Sequence, residues 1–494
     1  MGDLAGWGLA GRRLGTGWTW FLMGGAIYTA YTFVAVPALV YGVGALGFFA
    51  VPYTVVVYPL ALLVLPRLWT VAARNGYVTG ADVVRGRFGS PGLALAVACT
   101  GILATMPYVA LQLLGIQAVL TALGVPPEGP AGDLVLTAAF TVLAVGTYRW
   151  GLRAPAAIAV LKAVLVFGVT FVLVALVPRR LGGFGGIFAA AGPALAARTG
   201  GAGSLVLSDQ LTSAYTTLAV GSALALLVYP HVVTATLAAR SAGTIRRNCV
   251  LLPAWTAVLG LLALLGVAAV AAGVAAPPGR AELALPLLVA GTFPPWFTGV
   301  VFGALAIGAL VPAAIMSVAA ANLFTRNVYV EYLHPQATPE HQTQVARLVS
   351  VLVKVGALVF VLGLRTADAI NLQLLGGVWI LQTFPAVVLG LWTRRLHRVG
   401  LLAGWAAGMV AGTALLAVNG FVSVLPVALF GVHLQVYVAL LALAGNLAVA
   451  VAVTGLCRRL GLAEGLDTSG IDQLAGPDRD RGGPPDREWL AVRP

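Results

Sequence analysis

Two interrupted apolar segments decide the fold of this chain. The first, residues 24–40, reads GGAIYTAYTFVAVPALV and carries a glycine pair, a cluster of hydroxyl groups and an internal proline. The second, residues 221–231, reads GSALALLVYPH and ends in Tyr229, Pro230 and His231. Glycine and proline interrupt helices, because glycine adds backbone freedom and proline lacks an N–H donor. We therefore expect both segments to unwind partway along an apolar helix.

The composition around these segments is that of an integral membrane protein. The chain has 494 residues, of which 60% are hydrophobic and 9% are charged, and its mean hydropathy is +0.96. Soluble globular domains are about 25% charged, which excludes an ordinary soluble enzyme. A helix needs about 20 apolar residues to cross the hydrocarbon core of a bilayer. Twelve such runs predict an all-α multi-pass membrane protein, and they lie at roughly residues 18–44, 47–71, 91–123, 133–149, 154–177, 213–238, 248–274, 297–323, 345–364, 369–393, 399–418 and 433–456.

Basic residues between the runs indicate the orientation of the chain. Most arginines fall in one alternate set of connecting segments, for example Arg12, Arg149 and Arg394, whereas the opposite set holds few. Cytoplasmic loops carry an excess of arginine and lysine, so we expect both termini to be cytoplasmic and the protein to lie in the cell membrane. The net charge of +13 reflects this topology, and no nucleic-acid partner is expected.

Interrupted helices in the first and sixth runs, five spans apart, point to two inverted five-helix repeats with a binding site at the breaks. This pattern predicts a secondary carrier. The chain then divides into a cytoplasmic N-terminus (1–17), a first repeat (18–177), an extracellular loop (178–212), a second repeat (213–393), two C-terminal membrane helices (394–457) and a disordered cytoplasmic tail (458–494).

Catalytic motifs are missing from the sequence. It contains no HExxH, GxSxG or Walker pattern, and no pair of carboxylates lies within the apolar runs. His231 is the only histidine deep within a run. A nucleophile beside a positioned base is therefore not expected, and we predict that the chain is not an enzyme.

Two lysines lie within apolar runs, where a charged group is costly. Lys162 is nine residues past Arg153, which corresponds to about 13 Å along a helix. Lys354 is seven residues past Arg347, shallow enough for its amine to extend to the cytoplasmic interface. Lys162 is therefore the stronger candidate for a functional role.

Several stretches together resemble the sodium:solute symporter family, and most closely its monocarboxylate permease branch. The likeness runs over roughly residues 7–457. It rests on residues 7–15 (WGLAGRRLG), 28–42 (YTAYTFVAVPALVYG), 76–87 (GYVTGADVVRGR), 229–231 (YPH), 245–248 (IRRN), 324–329 (FTRNVY) and 370–394 (INLQLLGGVWILQTFPAVVLGLWTR).

The resemblance implies a LeuT-like fold of two inverted five-helix repeats, spans 1–5 and 6–10, followed by two further helices. It implies a substrate site between spans 1, 3, 6 and 10. The branch carries pyruvate, lactate, acetate and related small carboxylates by cation-coupled symport, with alternating access to the two sides. The alternative is a symporter for another small solute, such as an amino acid or pantothenate.

Hydroxyl, amide and imidazole groups near the breaks could replace the water shell of a carboxylate. Half-helix N-termini would add partial positive charge there. Ordinary hydrogen bonding between helices remains the alternative for each residue. The candidates for substrate binding are Tyr28, Thr29 and Thr32 in span 1, Tyr108 and Gln112 in span 3, Tyr229 and His231 in span 6, and Gln373, Trp379 and Gln382 in span 10.

Cation coupling is where the sequence departs from the family. In sodium-coupled members, two adjacent hydroxyl residues in span 8 help bind the ion. Without a gap those positions are Val311 and Pro312 here, and a shortened end of the span would bring Ser317 there instead. Hard cations need oxygen ligands, which this pair cannot supply from side chains. The resemblance also places Ala159, one turn from Lys162, where many members have an acid. We hypothesise that Lys162 replaces sodium and that its protonation couples transport to a proton gradient. The alternative is a permanently charged structural lysine paired with backbone carbonyls.

The expected partners are therefore a small carboxylate and the lipid bilayer. No cofactor or metal is predicted other than Na⁺ or H⁺ as the coupling ion. The oligomeric state is left open.

Overall fold

The computed structural model describes residues 3–126, 129–363, 369–429 and 432–472. Almost all of this part is helical. The α-helices are α1 (Leu4–Gly8), α2 (Thr16–Ile27), α3 (Val36–Val43), α4 (Ala50–Asn75), α5 (Gly80–Phe88), α6 (Pro91–Ala122), α7 (Pro130–Trp150), α8 (Arg153–Arg180), α9 (Gly183–Thr199), α10 (Asp209–Val228), α11 (Pro230–Leu237), α12 (Ala242–Leu251), α13 (Pro253–Ala271), α14 (Ala284–Thr292), α15 (Pro295–Phe324), α16 (Pro339–Gly363), α17 (Ala369–Ile380), α18 (Phe384–Val387), α19 (Arg398–Val418) and α20 (Val438–Arg459).

Many of these helices can cross a bilayer. Within the described ranges, nine helical segments are long and apolar enough, and a tenth is formed if Thr16–Ile27 and Tyr31–Val43 make one span bent by 54°. The prediction of a multi-pass helical membrane protein is therefore confirmed. The two remaining predicted runs, 133–149 and 345–364, coincide with α7 and α16. The count of twelve spans stays a prediction.

Both predicted interruptions are present. Helix α2 ends at Ile27, Tyr28 is extended (φ −94°, ψ 94°), and a π-helical turn at Tyr31–Ala35 leads into α3. Helix α10 ends at Val228, and Tyr229 is extended (φ −61°, ψ 131°). The residue before a proline is pushed out of the helical region, and a proline is favoured at the first position of a helix, so α11 begins at Pro230.

The two broken segments lie together in the middle of the bundle. Helix α11 packs against α2 and α15, and α15 packs against α6 and α8. The π-helical turn of the first segment packs against α6 and α17. The helices from predicted spans 1, 3, 6 and 10 therefore surround one region.

Two elements differ from the predictions. The loop predicted at 178–212 contains α9, which packs against α13. The last predicted run, 433–456, begins inside an antiparallel hairpin of β1 (Val424–Leu429) and β2 (Val432–Tyr437). Ser213 and Thr217 on α10 accept hydrogen bonds from the backbone of β2, which satisfies part of the hairpin edge.

The chain after the last span is ordered up to Asp472, which corrects the prediction of a disordered tail from residue 458. Helix α20 runs to Arg459, and the following segment lies on α5 and the turn after α18. Thr468 donates to the Gly86 carbonyl at 2.8 Å, and Ile471 is fully buried. The rest of the predicted tail, residues 473–494, lies outside the described residues.

Buried Arg87 explains this docking. Its guanidinium donates to the Gly390 carbonyl at 2.9 Å and forms ion pairs with Asp467 at 2.5 Å and Asp472 at 2.8 Å. A buried cation needs such partners. The hydrogen bond from Arg87 lowers the pKa of Asp472 below its ordinary value of 3.8. Its ion pair is therefore present above that value and is lost as the pH falls through the lowered pKa.

Neutralising the two aspartates is expected to loosen this segment unequally. The Asp467 side chain is 13% exposed and that of Asp472 is 67% exposed. An exposed ion pair contributes ~0–1 kcal/mol, whereas a buried cation left without its partner costs about 3–5 kcal/mol. Asp467→Asn should therefore lower the unfolding temperature and speed proteolysis of 460–472 more than Asp472→Asn does. The double variant should be the least stable, and equal behaviour of the two single variants would contradict this account.

Candidate functional site

The break in the first span exposes backbone carbonyls inside the bundle. The last hydrogen bond of α2 runs from the Tyr28 N–H to the Gly24 carbonyl at 2.9 Å. The final carbonyls of an α-helix have no partner further along their own helix. The carbonyls of Gly25 and Tyr28 therefore need another donor, and this need is acute in a membrane, where no water supplies one.

Lys162 is that donor. Its side chain extends from α8 and is fully buried, and its ammonium donates to the carbonyls of Gly25 at 3.0 Å, Tyr28 at 2.5 Å and Gly308 at 3.0 Å. An ammonium has three donors, and these three bonds use all of them. A cation at the C-terminal end of α2 also complements the helix dipole. The predicted coupling residue thus joins α2, α8 and α15.

The third carbonyl is available because of Pro312. In an α-helix the carbonyl of residue i accepts from the N–H of residue i+4, and proline has no N–H. Pro312 lies inside α15, four residues after Gly308. The Gly308 carbonyl is therefore released from the helix and meets Lys162 instead. Pro312 has no side-chain oxygen to bind a cation, but its missing backbone N–H frees the Gly308 carbonyl to accept from Lys162.

The surroundings of Lys162 are apolar. The Phe33 ring centroid lies 5.4 Å from its amine. A methyl group built on Gly25 would lie 3.2 Å from the Ala159 side chain and 3.4 Å from that of Val311. No acidic side chain of the described residues forms an ion pair with Lys162. Three backbone carbonyls therefore hold the ammonium.

A second cluster lies at the break of the sixth segment. The rings of Tyr108, Tyr229 and His231 meet in pairs, with centroids 5.2 to 5.3 Å apart. The Tyr229 hydroxyl donates to the Gln373 carbonyl at 3.2 Å. A methyl group at Gly376 would lie 2.6 Å from that hydroxyl, so glycine allows α17 to approach the break. Predicted residues from spans 3, 6 and 10 are thus brought together.

Several buried polar atoms in the two interrupted segments and the helices around them lack hydrogen-bond partners. Leaving such an atom unpaired costs about 1–3 kcal/mol, so each one calls for an explanation. Water or a small polar ligand would satisfy them. Within the part of the chain that the structure describes, they include the hydroxyls of Tyr31, Thr32 and Ser222, both ring nitrogens of His231, the side-chain oxygen of Gln373 and the indole nitrogen of Trp255.

Tyr31 and Ser222 were not predicted. Tyr31 follows Tyr28 by three residues in the same interrupted segment, and Ser222 follows Gly221 in the other. The position of the Tyr31 hydroxyl beside the first break was the signal that could have identified it, whereas Ser222 lies within α10, seven residues before Tyr229.

Three predicted residues near the first break have protein partners instead. The Tyr28 hydroxyl is 2.6 Å from that of Tyr58 and 2.7 Å from that of Thr256. The Gln112 side chain accepts from the Ala30 N–H at 2.9 Å, and the Thr29 hydroxyl accepts from the Tyr31 N–H at 3.1 Å. These contacts fix the shape of the unwound backbone.

Two predicted residues of span 10 face the C-terminal helices. Trp379 donates to the Thr413 hydroxyl of α19 at 3.2 Å. The Gln382 side chain accepts from Asn446 of α20 at 3.2 Å and donates to the Val378 carbonyl. The structure therefore gives both residues packing contacts rather than a place beside Tyr229 and His231. Among the described residues, no group of three or more histidine, cysteine or acidic side chains could hold a metal ion.

Comparison with known proteins identifies the family to which the chain is similar. The model of the sodium:solute symporter family matches residues 7–408. The chain is 52% identical to the monocarboxylate transport permease protein of Rhizobium johnstonii, over 91% of this chain and 90% of that protein. It is 33% identical to the uncharacterized symporter YodF of Bacillus subtilis, over 82% of this chain and 81% of that protein.

A solved structure supports the same assignment at the level of the fold. The substrate-bound, outward-open structure of a Na⁺-coupled sialic acid symporter superposes with a TM-score of 0.73, covers 92% of each chain and is 14% identical in sequence. The described helices thus adopt the LeuT-type fold of that symporter. With a family match across most of its length and a relative at 52% identity, this multi-pass membrane chain belongs to the sodium:solute symporter family.

Proposed function

We propose that the chain imports small monocarboxylates, such as pyruvate, lactate or acetate, by symport with a proton. The observation that carries the proposal is the pair of helix breaks that enclose buried, unpaired polar atoms beside an ammonium held by carbonyls. The name of the Rhizobium johnstonii relative supports a monocarboxylate as the substrate. Import would proceed by alternating access.

The proposed architecture is twelve spans in two inverted five-helix repeats. The first repeat would comprise α2 to α8, and the second α10 to α18. The two C-terminal helices, α19 and α20, would follow. The alternation of arginine-rich segments supports cytoplasmic termini in the cell membrane.

The substrate carboxylate would bind between the breaks. Tyr31 and Thr32 have hydroxyl donors there, and His231 has a ring N–H, all buried and without a protein partner. His231 lies in the first turn of α11, whose N-terminus adds partial positive charge. We assign these three side chains to the carboxylate and the unpaired side-chain oxygen of Gln373 to the remainder of the substrate.

Lys162 would supply the coupling. A protonated amine has three donors for its three carbonyls, and a neutral amine has two. Loss of the proton therefore leaves one carbonyl of α2, Tyr28 or α15 without its partner. Because Lys162 joins the broken segment to α8 and α15, its protonation state would change how firmly these helices are held together.

Transport by the purified protein in proteoliposomes tests the proposal. An inward proton gradient without sodium should drive accumulation of labelled pyruvate, and added sodium should leave the rate unchanged. Lys162→Gln should lose accumulation but keep counterflow exchange, because it removes the proton site and leaves the substrate residues in place. Strict dependence on sodium would refute lysine-based coupling, and counterflow with alanine or pantothenate but not with carboxylates would favour the other substrate classes.

Substrate recognition is tested by His231→Phe, which keeps an aromatic ring and removes both nitrogens. A hydrogen bond to a charged group contributes about 1.5–3 kcal/mol, so the KM for pyruvate should rise about tenfold or more. His433→Phe is the control, since His433 is exposed on β2. An unchanged KM in His231→Phe would remove this residue from the site.

The role of Pro312 is tested by stability. Lys162→Met leaves three buried carbonyls unpaired, at about 1–3 kcal/mol each, and should lower the unfolding temperature. Adding Pro312→Ala gives the Gly308 carbonyl an N–H partner within α15 and should restore part of that loss. Pro66→Ala, inside α4, is the matched control and should restore none. Equal effects of the two proline replacements would contradict the carbonyl account.

A further inference from the structure

A groove of about 430 Å³ lies between α7 and α16, and none of the residues assigned to the transport site lines it. Its walls are mainly aliphatic and include Val145 on α7 and Val355 and Leu358 on α16. Tyr148, Arg149 and Lys354 also line it. The proposed function leaves this groove unused.

The groove opens on the outer surface of the bundle. The side chains of Val145 and Val355 are 56% and 51% exposed. In a membrane protein, aliphatic groups exposed on a spanning helix contact acyl chains. An occupant of the groove would therefore enter from the bilayer, and its apolar part would lie along these walls.

Lys354 supplies a buried charge in this groove. Its side chain does not extend to water, as a shallow lysine was expected to do, because it is only 2% exposed. Its ammonium donates to the Thr147 hydroxyl at 2.8 Å and the Ser350 carbonyl at 3.0 Å, both of which are neutral. Of the side chains that the structure describes, no carboxylate forms an ion pair with it.

Other cations lie at the same end of the groove. Arg149 lines it beside Tyr148, and the Arg347 guanidinium lies 5.9 Å from the centre of the Tyr148 ring. Thr147, Tyr148 and Arg149 form the last turn of α7, at the end predicted to be cytoplasmic. Basic pockets between helices on the cytoplasmic side are suited to anionic headgroups.

We propose that this groove binds an anionic membrane phospholipid, with its phosphate against Lys354 and Arg149. An acyl chain would lie along Val145, Val355 and Leu358. A small carboxylate or inorganic phosphate would neutralise the charge but leave the aliphatic walls uncovered. A phospholipid with one negative charge meets both requirements and reaches the groove without leaving the bilayer.

The test is lipid-dependent thermal unfolding of the full chain in detergent. Phosphatidylglycerol should raise the unfolding temperature, whereas phosphatidylcholine and inorganic phosphate should not. Arg149→Gln and Lys354→Gln should each raise the half-saturating concentration of phosphatidylglycerol about fivefold, which is the effect of ~1 kcal/mol for one basic residue near an anionic lipid.

Arg74→Gln is the matched control, because Arg74 is an exposed arginine in the last turn of another spanning helix, α4. It should leave the half-saturating concentration unchanged. Arg149 is exposed, so its replacement keeps the test valid even if Lys354→Gln fails to fold. Equal stabilisation by phosphatidylcholine, or no effect of Arg149→Gln, would overturn the proposal.

Discussion

The contact between the Lys162 ammonium and three backbone carbonyls is the interaction on which the centre of the molecule depends. Two costs meet there. A charged group within a membrane protein is expensive, and so is a helix that stops in the bilayer and leaves its last carbonyls without donors. The contact lowers both costs, because the carbonyls replace water around the ammonium and the ammonium donates to the unpaired carbonyls at the helix end. The break in α2 and the buried lysine therefore stabilise each other.

The two breaks are stabilised in different ways, and this difference bears on what each can bind. The first presents carbonyl oxygens, which attract a cation and already have one. The second begins a new helix at Pro230, and its capping carbonyl at Tyr229 accepts from Val232 and Val233 at 3.1 Å each. A helix N-terminus presents N–H groups and partial positive charge, which favour an anion. In the proposed function, the carbonyls of the first break hold the ammonium, and the N-terminus of α11 adds its partial positive charge to the donors that would bind the carboxylate.

Much of this arrangement could be predicted from the sequence, because glycine, proline and buried charge act locally. The interruptions at Tyr28 and Tyr229 and the importance of Lys162 follow from residue type and position within an apolar run. The hydrogen-bond partners of the polar side chains cannot be predicted in this way. The Tyr28 hydroxyl was a substrate candidate, and it pairs with Tyr58 and Thr256, the latter more than 200 residues away. Only the packing of helices decides such pairs.

The docked segment after α20 shows the same limit. Its composition of charged residues and glycine is typical of a disordered tail, since it has little apolar surface to bury. Its order comes from Arg87, a buried cation hundreds of residues earlier in the chain. Similarly, Lys354 was expected at the interface, and the hydroxyl of Thr147 on a neighbouring helix holds it inside. A charge pattern alone does not reveal whether a buried counterpart exists elsewhere.

A lysine in place of a mobile cation changes the charge balance of a transport cycle. A sodium ion enters and leaves with the substrate, whereas an ammonium stays with the protein. In the proposed cycle, a carboxylate anion would cross with the protonated lysine, and the proton would leave on the far side. The carrier would then return with a neutral amine and no substrate. The substrate anion and the proton together carry no net charge. The step with substrate bound therefore transfers no net charge across the membrane. The neutral amine also avoids the cost of returning an uncompensated charge through the membrane. In this cycle one carbonyl would be left unpaired on the return step, and that carbonyl would belong to the break itself or to α15.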